Sequence, residues 1–304
     1  MRDDLHNYMK VGIVHFMAFP ETGKGEGPVL ETIQKIAEDE FFGAIEVTAI
    51  KDPAVRAQVA NLLSTSGMAV GFGGQPIELG NKLDINSVDS AKRQHAVDQL
   101  KAAIDQAHEV GATRFAVLSG PYPGEALEKQ AMDALVDSLN QLCAYAETKD
   151  GMGVVMEVFD RTIDKKALIG PTSSGVAISR AVRQKHRSFG LMMDLSHLPL
   201  QFETSEQALS AAKDDIIHAH IGNCVLADRT SKLYGDFHPR FGHPLGANSI
   251  ADLTEYLRML MEIGYIGEGN QNIVAMEVKP YDAETSAAVI ASGKRALMEA
   301  WARL

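Results

Sequence analysis

A chain of 304 residues, 45% hydrophobic and 23% charged, has an ordinary globular balance that excludes intrinsic disorder and low-complexity architecture. Its 40 acidic and 29 basic side chains leave a net charge of −11, the wrong sign for a protein that grips a phosphate backbone. Two cysteines, Cys143 and Cys224, are too few for a disulfide scaffold or a thiolate zinc site, and no apolar stretch approaches the ~18 residues that span a membrane.

The first residues are acidic and no small-residue cleavage site follows, so no signal peptide is expected and the default is a soluble, cytoplasmic protein. Short apolar runs then alternate with helical patterns. The runs cover 11–17, 43–49, 67–73, 112–118, 153–159, 189–195, 216–222 and 272–278, each of strand length and rich in Val, Ile, Phe or Met. Such near-continuous apolarity fits strands buried on both faces of a parallel sheet. Helical spacing marks 28–37, 91–110, 124–149, 203–213, 249–264 and 283–303. Asn248 or Ser249 reads as the cap of the fifth helix and Gly264 as its stop. Eight strand–helix units at about 38 residues each predict one α/β domain over residues 1–304, a (β/α)8 TIM barrel, with a doubly wound open sheet as the runner-up. Two connections after strands, 160–173 and 223–248, are unusually long and fall on the face where barrel active sites sit.

The polar residues of these strands carry the chemical information. Glu157, Asp194 and Glu277 stand near the ends of the fifth, sixth and eighth runs, and His218 and His220 share one face of the seventh. A single charge at a strand mouth is most simply solvated or paired. Four at one height converge, because neighbouring strands lie ~4.8 Å apart. Carboxylates brought together in this way repel unless a cation joins them. Two Glu, one Asp and one His suit Mn2+, Co2+ or Mg2+, with Zn2+ or Fe2+ as further fits.

The pattern resembles the xylose-isomerase-like superfamily of TIM barrels, the sugar isomerase and epimerase group that includes endonuclease IV, over essentially the whole chain. The carrying motifs are MEVFD (156–160), MDLSHLPL (193–200), HAH (218–220), HPLGANSIADL (243–253) and AMEVKP (275–280). Similarity to the ketose 3-epimerases implies that Glu157, Asp194, His220 and Glu277 bind one divalent metal, Mn2+ in the first place. His220 is preferred to His218 as the second His of the motif and the one nearer the mouth. The resemblance implies that His197 contacts substrate hydroxyls. It also implies proton transfer beside a carbonyl through a metal-stabilised ene-diolate, with Glu157 and Glu277 as the catalytic pair. A hydride shift would need a second metal, whose residues are not evident. Where the family usually has an acid three residues after the ligand His, this chain has Asn223, and Arg229 or Arg240 stands for the family's following arginine.

His15 and Glu46 are further candidates for binding substrate hydroxyls, with satisfied barrel residues as the plain alternative, and Gln75 is similar. The GFGG at 71–74 is expected not to open a helix, so a dinucleotide site is not read there. His238, Arg240 and His243 fall in the long seventh-strand loop, where a lid could offer a cationic contact. Two activities remain open. One is a metal-dependent sugar isomerase or epimerase. The other is a lyase or dehydratase that uses the same site for β-elimination on a 3-oxo-sugar or 3-oxo-glycoside, with Phe237 and Phe241 making room for an aromatic aglycone. The expected partner is a small sugar, not nucleic acid or membrane. A homo-oligomer is expected, or a second subunit in the lyase case.

Overall fold

The computed structural model describes residues 4–304, and in it eight parallel strands close into a barrel in chain order. They are β1 (Lys10–Val14), β2 (Ala44–Val47), β3 (Ala69–Gly73), β4 (Arg114–Leu118), β5 (Gly153–Glu157), β6 (Gly190–Asp194), β7 (Ile216–Gly222) and β8 (Ile273–Glu277). Nearly every strand residue is buried, because one face fills the barrel and the other lies under helices. The open-sheet alternative is therefore excluded.

Between and around the strands run α1 (His15–Ala18), α2 (Val29–Ala37), α3 (Pro53–Ser66), α4 (Gln75–Asn81), α5 (Ser90–Glu109) and α6 (Glu125–Glu147). The second half adds α7 (Thr172–Arg183), α8 (His197–Gln201), α9 (Ser205–Ala212), α10 (Ile250–Glu262) and α11 (Ser286–Ala302). The six helices read from spacing are present to within three residues at each end. The stripe Ala96, Val97, Leu100, Ala103, Ile104 and Ala107 is the buried face of α5. Ser249 caps α10 in a reciprocal box with Asp252, whose side chain accepts from the Ser249 N–H.

α3 lacks a strong apolar stripe, and α7 mixes Val176, Ile178 and Val182 with small and polar residues. α3 buries only Val59 and Leu63, and α7 builds its buried face partly from Thr172, Gly175 and Ser179. Two expectations need correction. The GFGG segment does lead into a helix, α4. The first strand ends at Val14, and His15 begins a helical turn instead of extending the strand.

One irregularity sets the register of the site. Leu191 pairs with Ile216 but Met192 pairs with His218, so β7 carries one extra residue, Ile217. The skip brings His220 opposite Asp194; an unbroken ladder would have placed Ala219 there. Gly190 makes the bulge possible, since a Cβ on it would lie 2.7 Å from the Asp215 carbonyl and from Ile217. Beneath the site, Ala116, Val155 and Met192 form a small apolar cluster of their own inside the barrel.

Candidate metal centre

Glu157, Asp194 and Glu277 are the last residues of their strands, and Gly222 at the end of β7 pairs with Glu277. Together with His220 they offer four donor atoms that all lie within 4.8 Å of one another, and all four residues are buried. These are the four residues expected from the sequence to meet.

The hydrogen bonds around His220 test whether the quartet suits a cation. His218 Nε2 and His220 Nε2 both donate to Glu46 Oε1, at 2.8 and 2.9 Å. With its proton on Nε2, His220 presents Nδ1 as a lone pair, 2.7 Å from Glu277 Oε2 and 3.8 Å from Glu157 Oε1. Two acceptors so close require a proton or a metal cation between them. Glu157 Oε1 is also buried without a hydrogen-bond partner, while its Oε2 accepts from Gln75 Nε2 at 2.8 Å. The donor set is oxygen and imidazole with no thiolate, so a divalent ion of the Mn2+, Co2+ or Zn2+ kind fits it.

Electrostatics agree with a site short of positive charge. Burial pushes the Glu157 carboxyl up to about 7, with Glu277 and Asp194 acting in the same direction against His197 and His220. Burial likewise raises Asp194. Burial would raise Glu277 too, but His238 and His220 hold it well below the usual carboxylate range. For His220, burial favours the neutral ring, and Glu46 and Glu277 override it to hold its pKa well above the ordinary value.

A second cluster adjoins the first. His197 donates from Nδ1 to the Val158 carbonyl at 3.0 Å, and its Nε2 lies 3.7 Å from Asp194 Oδ2 and 3.2 Å from Asp236 Oδ1; burial favours the neutral ring, but these carboxylates override it and hold its pKa well above the ordinary value. His238 Nε2 is 2.9 Å from the same Asp236 oxygen and 3.4 Å from Glu277 Oε1. Asp194, His197 and His238 form a further group whose donor atoms could hold an ion. Residues able to hold a second cation are therefore present, contrary to the reading that none was evident. Lys165 Nζ closes the cluster at 2.9 Å from Asp236 Oδ2. Burial would raise Asp236, but His238, His197 and Lys165 hold it well below the usual range.

The other expected contacts divide. Glu46 and His197 are in the site, but Glu46 is engaged by two imidazoles. His15 is not brought to it. Its Nε2 meets Thr32 Oγ1 on α2 at 2.8 Å, and burial pushes the ring down to about 3. Arg240 is paired with Glu284 at 2.7 Å and stands apart from the quartet. Asn223 is spent on the loop: its Oδ1 accepts from the Cys224 and Asn248 N–H groups at 3.0 and 2.8 Å. Phe241 is buried in the main core and Phe237 packs on Tyr281, so neither makes room for an aglycone at the quartet.

Asp236, Lys165 and Lys279 were not singled out from the sequence. They lie in loops without periodicity, and the only signal was the length of the two loops that carry Asp236 and Lys165. His238 was read only as a lid contact. Gly222 allows its ring to reach the barrel mouth, since a Cβ there would lie 3.0 Å from His238 Nδ1 and 2.9 Å from the Glu277 carbonyl. The cavity above the quartet has a volume of about 270 Å3, and its walls include Glu157, His220, Glu277, His238, Lys165 and Lys279. It is smaller than the ~300–1,000 Å3 of pockets for drug-sized ligands and suits a monosaccharide.

The profile of the family described as xylose isomerase-like TIM barrel matches residues 34–298. No curated protein matches the chain by sequence. Among solved structures, a D-tagatose 3-epimerase-like protein aligns with a TM-score of 0.72 at 18% identity, covering 97% of this chain and 98% of that one. L-ribulose 3-epimerase aligns with a TM-score of 0.70 at 18% identity, covering 97% and 96%. The IOLI protein with a bound zinc atom aligns with a TM-score of 0.74 at 16% identity, covering 97% and 99%. At these identities the likeness shows the barrel and not the reaction. No helix among the described residues is long and apolar enough to cross a membrane.

Proposed function

Because the chain belongs to the xylose isomerase-like TIM barrel family, we propose that it is a divalent-metal-dependent sugar isomerase or epimerase that moves a proton beside a carbonyl. The observation that carries this is the convergence of Glu157, Asp194, His220 and Glu277 at the barrel mouth. These four residues would hold the ion, whose charge would stabilise the ene-diolate left when a carbon-bound proton departs. Glu157 and Glu277 supply carboxylates that take the proton from one face and return it to the same or the opposite face. Gln75 fixes the Glu157 carboxylate through its amide, and Glu46 fixes the ring of His220. His238 supplies a polar group in the cavity wall for substrate oxygens, with His197 packed behind it. The four residues are buried, so these charges act in a medium of low dielectric.

One observation favours a second reading. The buried His238–Asp236 pair at 2.9 Å sets an additional proton donor against the quartet. A lyase or dehydratase would use such a donor to protonate a departing β substituent after the same proton abstraction. The D-tagatose 3-epimerase-like protein and the L-ribulose 3-epimerase among the structural neighbours weigh toward epimerisation.

Metal content of the purified chain, and of Glu157→Gln and His220→Ala, tests the centre. About one divalent ion per chain that is lost in both variants is expected. Incubating the loaded protein with ketoses and 3-oxo-glycosides in D2O then separates the chemistries. Deuterium at carbon in recovered or isomerised sugar supports the isomerase. An enone or released aglycone supports elimination. Parent-like variants without metal would overturn both readings.

A further inference from the structure

Two lysines share the cavity wall with the quartet, and the proton-transfer chemistry uses neither. Lys165 comes from the loop after β5 and Lys279 from the loop after β8. Lys165 Nζ spends two of its three donors, on Asp164 at 2.7 Å and Asp236 at 2.9 Å, and keeps one free. Lys279 is half-buried and makes no side-chain hydrogen bond or ion pair among the described residues; its Nζ lies 5.5 Å from the centre of the Tyr281 ring. Lys165 and Lys279 line the same cavity. A partly desolvated ammonium without a counter-ion, beside another cation, is costly. In a chain with a net charge of −11, many carboxylates were open to pairing with it, and none does. The missing counter-charge fits a ligand.

We propose that the cavity takes a sugar bearing an anionic substituent, a carboxylate or a phosphate, held by Lys279 with the free donor of Lys165 at its flank. The word sugar rests on the reading of the preceding subsection; the anionic group rests on the two lysines. A cavity of about 270 Å3 accommodates a monosaccharide with one such substituent. The anion sits apart from the proton-transferring carboxylates, so it selects and orients the substrate and leaves the reacting carbon to Glu157 and Glu277.

Calorimetric titration of the metal-loaded full chain with glucose, glucuronate and glucose 6-phosphate tests this. One of the two anionic sugars is expected to bind about tenfold to a hundredfold more tightly than glucose, the gain of a charge-assisted hydrogen bond. Which one does so distinguishes the carboxylate from the phosphate source. In Lys279→Met the preference is expected to disappear, and in Lys279→Arg to persist, with metal content and circular dichroism reporting that each variant is folded. Equal binding of all three sugars, no binding of either anion, or a preference untouched in Lys279→Met would overturn the proposal. The last result would place the anion on the metal itself. Deuterium exchange into ketoses is read separately. Its absence alongside an anion preference that depends on Lys279 refutes the proton-transfer reading and leaves this one standing, and the reverse pattern does the opposite.

Discussion

Replacing Glu46 by Gln should loosen the metal centre without removing a ligand. Glu46 Oε1 receives Nε2–H of both His218 and His220, at 2.8 and 2.9 Å, inside the barrel. Burial works against its ionisation, but the two imidazoles hold the carboxyl ionised, well below the usual range. Glutamine keeps the volume and one acceptor and loses the charge. A hydrogen bond to a charged acceptor contributes ~1.5–3 kcal/mol, against ~0.5–1.5 kcal/mol for a neutral one. The difference is therefore about 1–1.5 kcal/mol per bond and about 2–3 kcal/mol over two, part of which is spent in orienting His220. Partners that orient a metal-bound imidazole typically account for about 10–100-fold in metal affinity, or ~1.4–2.7 kcal/mol, and the two routes agree. Competition of Mn2+ and Zn2+ between the protein and a chelator of known affinity is the assay. E46Q is expected to bind about 10–100-fold more weakly than the parent, and His220→Ala more weakly still. Parent-like affinity in E46Q would refute the reasoning. Affinity as poor as that of His220→Ala would also refute it, since Glu46 would then be a ligand in its own right.

Three further outcomes are expected. Burial raises the Glu78 carboxyl to about 8 from the 4.5 it has when exposed, so the folded chain keeps a proton that the unfolded chain has already lost between these values. Its contribution is fully present below pH about 4.5 and is lost as pH rises through about 8, a decline of order 3–5 kcal/mol. Urea unfolding at pH 5, 7 and 9 should show this slope in the parent and a flatter one in Glu78→Gln, and identical slopes would count against it. Tyr256 donates its buried hydroxyl to the Met193 carbonyl at 2.7 Å, so Tyr256→Phe should cost ~1–2 kcal/mol by denaturant titration. A change below ~0.3 kcal/mol would show that the carbonyl needs no second donor. Asn223→Ala removes the clamp on Cys224 and Asn248 and should speed amide exchange across 224–248, leaving β5 and β6 protected; uniform protection across the chain would refute the clamp.

The barrel and the quartet were legible because strands buried on both faces tolerate few charges. Glu157, Asp194, His220 and Glu277 stood out against apolar runs, and their places near the strand ends set their height. The same logic misjudged His15, where the strand stops one residue earlier and a helical turn carries the ring outward to Thr32. It left Arg240 near the site, although that side chain turns to Glu284. The bulge at Ile217 could not be read from periodicity, since Ile216 and Ile217 are both apolar and either register buries one of them. Asp236 and Lys165 were hidden for a different reason. Loop residues follow no repeat, and which of them fold back over the barrel depends on hydrogen bonds formed only once the chain is compact.

The clamp between Asn223 and Asn248 gives the site a modular construction. The strand-borne quartet is fixed by the barrel, whereas Asp236 and His238 arrive on a segment fastened at both ends by one asparagine pair. Residues between the two fastenings other than Asp236 and His238, which reach the strand ends, are the ones open to exchange, because the carbonyls of Leu195 and Gly222 are tied to Asn248 and not to the segment itself. Grafting other sequences between positions 224 and 247 around a retained Asp236 and His238 is thus a route to new substrates on the same metal quartet, and the barrel is a chassis on which selection or design can act one loop at a time.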